Sequence, residues 1–370
     1  LCMPSRASIL TGLYNRDNGI IGNKGSLDQE QVLIPHLKKS GYNTAFVGKW
    51  HFGKVNLPTK YGFDWMGSIL REGAFVEKKA SLLCNPFGKD EGEMEATKSE
   101  GDKIFTDTAI TFLENNKNGK PFFMWLAYTN PHTPYEMPYK YSQMYKPEDM
   151  LLPPNFLPVS KHPGAPHKLL GETKEGSPEQ QIKKIIAGHH GLVSYLDEEV
   201  GRIIDKLKQL NILENTIIIF MGDNGLMLGS QGVIAKQVLY EESIRVPLIV
   251  YWEGNIKPRV TSEFAMNIDI LPTIFDIAKV KMPKTVHGKS LLPILEGKDV
   301  TLRNEVFCDL IPKQWKCIRT KEWKYISTPE LGDELYDLVN DPYEKTNLAN
   351  DSKYSKILQE LKTRLRYHTF

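Results

Sequence analysis

The sequence predicts a layered α/β protein, with a mixed, mostly parallel central sheet flanked by helices and a small C-terminal antiparallel sheet plus helix. Three observations point there. Apolar β-prone runs each end abruptly in a polar cluster, helical segments fall between those runs, and the pattern changes after about Gly297 to short, closely spaced strands.

In chain order, Pro35 to Ser40 reads as a helix with proline near its start, stopped by Gly41. Thr44–Val47 is the first strand and runs into Gly48-Lys49-Trp50-His51. Phe122–Tyr128 runs into Thr129-Asn130-Pro131-His132, and Thr216–Met221 runs into Gly222-Asp223-Asn224-Gly225. Ser177-Pro178-Glu179-Gln180 is a capping box with proline at the first helical position. It opens a long amphipathic helix carrying Ile182, Ile185, Ile186, Leu196 and Ile203 at helical spacing. Val246–Trp252 is a further strand. Beyond it, Asn304–Leu310, Trp315–Thr320, Trp323–Ser327 and Glu334–Leu338 are short strands, followed by a helix over Ser352–Arg366. The expected organisation is a catalytic domain over 1–297 and a subdomain over 298–370. Arg71–Gly101 and Glu136–Gly176 lack periodicity and read as rim loops. Open α/β sheets bind ligands beyond the carboxyl ends of their strands, so Lys49, His51, His132, Asp223 and Asn224 are expected on one rim.

Composition bounds the function. The 370 residues hold 41% apolar and 25% charged side chains, enough for a large core, and suggest about two or three domains. The 47 Lys and Arg against 45 Asp and Glu leave a net charge of +2. Bulk charge therefore gives no reason to expect a nucleic-acid partner. No apolar run is long enough for a membrane span. The four cysteines, Cys2, Cys84, Cys308 and Cys317, contain no Cys-x-x-Cys pair, which argues against a zinc ribbon. Cys308 and Cys317 could meet across neighbouring strands as a disulfide or remain buried thiols. His189 shares the apolar face of the long helix and reads as a core histidine.

The most specific string is Cys2-Met3-Pro4-Ser5-Arg6 with Leu10-Thr11-Gly12 downstream. Alone, a cysteine beside an arginine fits either a low-pKa nucleophile or a buried thiol. Together with Gly48-Lys49-Trp50-His51, Asn130-Pro131-His132-Thr133-Pro134-Tyr135, Gly222-Asp223-Asn224-Gly225, Lys236 and the Tyr240-Glu241-Glu242 to Pro247 block, it resembles the type I sulfatases of the alkaline phosphatase superfamily. Glu334-Leu335-Tyr336-Asp337-Leu338 with Asn340-Asp341-Pro342 resembles that family's tail. The resemblance covers nearly the whole chain in the family's order, and it implies an alkaline-phosphatase-like sheet.

The resemblance also implies a mechanism. Cys2 is converted to formylglycine by a formylglycine-generating or anaerobic sulfatase-maturating enzyme, and the hydrated aldehyde supplies the nucleophile. Asp223 and Asn224, together with the modified Cys2, hold a divalent cation, Ca2+ or another such as Mg2+. Arg6 and Lys49 steady the nucleophile, and Lys49 and Lys236 neutralise the sulfate. His132 serves the departing alkoxide, and His51 takes the proton that releases sulfate. A sulfate monoester is a fixed anion, so a site with two lysines and an arginine suits it. The implied substrate is a sulfated sugar or aryl sulfate, met after export.

One departure stands out. The family has an Asp-Asp pair on a strand before the cysteine motif, and no Asp-Asp dipeptide occurs in these 370 residues. The expectation is an N-terminally incomplete chain, lacking that strand and two metal ligands. Two alternatives accompany the sulfatase reading: a phosphodiesterase or phosphonate hydrolase of the same superfamily, and an inactive protein that binds sulfated glycans.

Overall fold

A computed structural model describes residues 1–52, 56–71, 74–75, 101–116, 119–133, 135, 137–160, 162, 165, 169, 176–329 and 331–367. Cys84 and almost all of the Arg71–Gly101 loop lie outside the described residues.

The central sheet has the order β3-β2-β1-β4, built from β1 (Asn43–Lys49), β2 (Trp65–Arg71), β3 (Ala74–Phe75) and β4 (Phe122–Ala127). β1 runs parallel to β2 and β4, and β3 closes the edge antiparallel to β2. β1 is buried on both faces, which is why it reads as a continuous apolar run. Phe46 points into a cluster with Trp50, Phe52, Tyr61 and Phe63, while Ala45 packs with Phe112, Leu113 and Leu207 on the other side. The Gly101–Asn115 and Pro178–Gln209 helices cover that second face. Ser177 caps the long helix, its side chain accepting from the Gln180 N–H while the Gln180 side chain accepts from the Ser177 N–H.

β5 (Ile218–Met221) and β6 (Leu248–Tyr251) form a separate antiparallel pair. Among the described residues β5 has no ladder to β4 or β1, so the expected rim is made by the ends of two sheets. An apolar run reports burial and carries no information about strand direction or neighbour. β7 (Glu305–Leu310), β8 (Trp315–Thr320), β9 (Trp323–Thr328) and β10 (Gly332–Asp337) form an antiparallel meander, and the Ser355–Tyr367 helix packs on it through Leu358, Leu361 and Leu365. Cys308 and Cys317 are direct partners across β7 and β8, both as free thiols.

The Cys2–Thr11 helix is buried nearly all round, with Met3, Ala7 and Leu10 in the same cluster as Phe46 and Trp50. It is thereby pinned beside the end of β1. At that end Gly48 has φ +99°, and a Cβ there would sit 2.1 Å from the Ala127 carbonyl oxygen of β4. Only glycine fits.

Candidate active site

Cys2 is the first residue of its helix, 2% exposed, at the end where the helix dipole favours negative charge. Three side chains from three separate segments reach its Sγ: Lys236 Nζ at 3.0 Å, Asn224 Nδ2 at 3.2 Å and Lys49 Nζ at 3.7 Å. His132 and His51 hydrogen-bond to the same sulfur. Burial pushes the thiol up, but the two histidines and the charges of Lys236 and Lys49 reverse this and pull it down to about 2. The balance favours the thiolate at neutral pH.

Local structure explains how each group arrives. Trp50 is buried against Phe46, Phe52 and Tyr61, and its Nε1 donates to the Asn56 carbonyl, so the flanking Lys49 and His51 are left to face Cys2. His51 takes a left-handed backbone at φ 73°, an uncommon conformation for a side-chain-bearing residue. Arg6 lies one turn beyond Cys2. Its Nε donates to Asp223 Oδ2 at 2.8 Å and its Nη1 to the Lys49 carbonyl at 2.6 Å. It therefore ties the ends of β1 and β5 to the Cys2–Thr11 helix, with its own bonds going to Asp223 and the Lys49 carbonyl. Burial lowers Lys49; the Cys2 thiolate opposes that shift and Arg6 reinforces it. Arg6 thus pairs with Asp223, while Lys49 and Lys236 face the sulfur.

His132 sits on a turn after β4, with its N–H donating to the Thr129 carbonyl at 3.0 Å. Its Nδ1 lies 2.5 Å from the Thr133 carbonyl oxygen, which can only accept, so Nδ1 carries a proton and Nε2 is the atom left for Cys2. The structure thus brings Cys2, Arg6, Lys49, His51, His132, Asp223, Asn224 and Lys236 together. His189 is elsewhere, on the long helix beside His190, and burial with that neighbour lowers it to about 4, a neutral histidine. Two residues carry no motif yet serve the site. Asn23 accepts the Met3 N–H at 3.3 Å, and Asp102 accepts two N–H groups of the His132 turn. Isolated Asn and Asp side chains give no spacing signal, so sequence reading passed over both.

Asp223 and Asn224 offer hard-oxygen donors of the right kind for calcium or magnesium. They are too few. Calcium takes about six to eight oxygens, and Asp223 is already engaged by Arg6 and by Asn224 Nδ2 at 2.6 Å. Among the described residues no group of three or more His, Cys, Asp or Glu is arranged for a metal. The described residues do not complete a divalent-cation site.

A buried thiolate at a helix start, ringed by cations and two histidines, is an arrangement suited to holding an anion. Comparison with known proteins gives the family. The Sulfatase family profile matches residues 1–280, and a second profile, N-sulphoglucosamine sulphohydrolase, C-terminal, matches residues 229–369. This chain belongs to the sulfatase family, in the alkaline phosphatase superfamily, and is a sulfuric ester hydrolase. An ulvan-active sulfatase of Formosa agariphila is 29% identical over 99% of this chain and 71% of its own length. The structure of BT4656 in complex with its substrate D-glucosamine-2-N,6-O-disulfate aligns with a TM-score of 0.76 at 25% identity, covering 99% of this chain and 87% of that one. The phosphonate monoester hydrolase of Silicibacter pomeroyi aligns at 0.81 and 22% identity over 100% of this chain and 85% of that one, a likeness of fold. No described helix is long and apolar enough to cross a membrane.

Proposed function

We propose that this chain hydrolyses sulfate monoesters of carbohydrates, met outside the cytosol, after a maturating enzyme has converted Cys2 to formylglycine. The convergence of Lys236, Lys49, Asn224, His51 and His132 on one buried sulfur carries the reading. The modified side chain would supply a hydrated aldehyde oxygen as nucleophile, which a thiol cannot. Lys49 and Lys236 neutralise the sulfate oxygens as charge builds between nucleophile and leaving group. His132 delivers a proton through Nε2 to the departing sugar oxygen, and His51 takes the proton when sulfate is released. Arg6 keeps Lys49 and Asp223 in place. The carbohydrate class is supported by the relatives, which include the ulvan-active sulfatase and the disulfated-glucosamine complex.

The division at about residue 297 is part of the same proposal. Residues 298–370 would buttress the segment that carries Lys236: Tyr240 and Tyr336 both donate to Glu334, and Lys324 pairs with Glu241.

The test is the mass of the proteolytic peptide ending at Arg6, from protein matured in its native host, together with turnover of 4-nitrophenyl sulfate. An aldehyde in place of the Cys2 thiol, with turnover falling roughly 10⁴-fold or more in Cys2→Ala, is expected. An intact thiol in protein that still hydrolyses the ester would sink the proposal.

A further inference from the structure

Asp102 lies in the first turn of the Gly101–Asn115 helix and is 2% exposed. Its Oδ1 accepts the Thr129 N–H at 2.9 Å and its Oδ2 accepts the Asn130 N–H at 3.1 Å. Those residues open the turn that closes at His132, whose own N–H returns to the Thr129 carbonyl. One carboxylate therefore holds both leading amides of the turn bearing the histidine. Its neighbours make this an unusual placement for a structural acid. From the long helix Glu199 faces it as a like charge, itself paired with Arg202 at 2.7 Å. From the end of β4, Tyr128 hydrogen-bonds Thr106 on the same helix as Asp102. The bonds that compensate Asp102 are thus the two backbone amides.

We infer that Asp102 is a positioning residue for His132, fixing the turn so that Nε2 meets the departing ester oxygen. This rests on the sulfatase reading above, with His132 as the proton donor. Asparagine at 102 keeps the shape and one acceptor but turns an NH2 toward the other amide, so the turn loosens without a cavity forming. A misplaced proton donor costs rate where the leaving group needs the proton. On the order of 10²-fold follows from a displacement of about 1 Å.

The experiment compares wild type, Asp102→Asn and His132→Ala on two esters, with amide hydrogen exchange at Thr129 and Asn130. In Asp102→Asn, turnover of a glucosamine 6-sulfate, an alkyl leaving group, should fall about 10- to 100-fold. With 4-nitrophenyl sulfate, whose phenolate leaves unprotonated, the fall should be under about threefold, and His132→Ala should show the same split. Exchange at the two amides should be slow in wild type and about tenfold or more faster in the variant. An equal fall on both esters, or unchanged exchange, overturns the role. If Asp102→Asn does not fold, wild-type exchange still decides: fast exchange at both amides means there is no anchor. If wild type hydrolyses neither ester, the sulfatase reading has failed, and the exchange data alone show whether Asp102 holds the turn.

Discussion

Two buried lysine clusters in this protein have opposite electrostatic designs. Lys324 is fully buried and pairs with Glu344 at 2.7 Å and Glu241 at 3.2 Å, and Arg319 shares Glu241. Burial opposes its charge, but the two carboxylates hold its pKa above the ordinary value. At Cys2, Lys49 and Lys236 face a sulfur, while the carboxylate of Asp223 is held by Arg6. Lys49 is lowered there by burial. The first cluster is internally neutral and ties the C-terminal sheet to the 236–245 segment. The second holds surplus positive charge in a buried pocket, a state that costs stability and has value only when an anion enters.

Methionine substitutions break the comparison most sharply. Lys324→Met leaves Glu241 and Glu344 buried without their lysine, and should lower unfolding stability by roughly 3–5 kcal/mol. In matured protein, where Cys2 no longer carries a thiolate, Lys236→Met removes a charge that repels Lys49, so stability should change by about 1 kcal/mol or less. Sulfate-ester turnover, however, should fall roughly 10²- to 10³-fold. Denaturant midpoints and initial rates on both variants check this. Equal destabilisation by the two would mean that the Cys2 cluster is as structural as the other.

The thiol sharpens the same contrast at a smaller scale. In protein prepared without maturation, Cys2, pulled down to about 2, stays ionised from pH 5 to 8. Its alkylation by iodoacetamide should vary by less than about threefold over that range, where an ordinary thiol gains about tenfold per pH unit. Lys236→Met removes one of the four lowering influences and should shift the thiol upward, with the two histidines still holding it down. Peptide mapping separates this label from Cys308 and Cys317.

Much of this is legible in the sequence, and unevenly so. The strands carrying the site could be read because burial on both faces leaves uninterrupted apolar runs. β1, β4 and β5 differ from the expected spans only at their ends. The cationic and histidine residues were legible because each follows such a run, and the family resemblance gathered the rest, including Lys236. The pairing of β5 with β6 was not, since an apolar run has no direction. Nor were the partners of Arg6, which the resemblance names only as steadying Cys2 and which bonds Asp223 and the Lys49 carbonyl. Asp102 was invisible for a plainer reason. Its partners are backbone N–H groups, and every residue but proline has one.

Asp102 adds a third kind of buried charge to the comparison, compensated by amides alone. Burial pushes its carboxyl up to about 6; the Thr129 and Asn130 N–H groups work against that shift, and the Glu199 charge adds to it. A carboxyl raised on folding holds its proton more tightly in the native state than in the unfolded one. The penalty is absent below pH about 4, grows between there and about 6, and is complete above. Asp102→Asn removes that titration, and with it the Glu199 repulsion that forms part of the rise. The stability difference should therefore move in favour of the variant as pH rises from 4 to 7, by about 3 kcal/mol, whatever its value at pH 4. Chemical denaturation at several pH values measures it. A difference moving the other way would mean that Asp102 is held below its ordinary value, as Glu241 is by Lys324. Asp102 would then belong with the neutral scaffold, and its destabilising charge could no longer be read as the expense of holding His132.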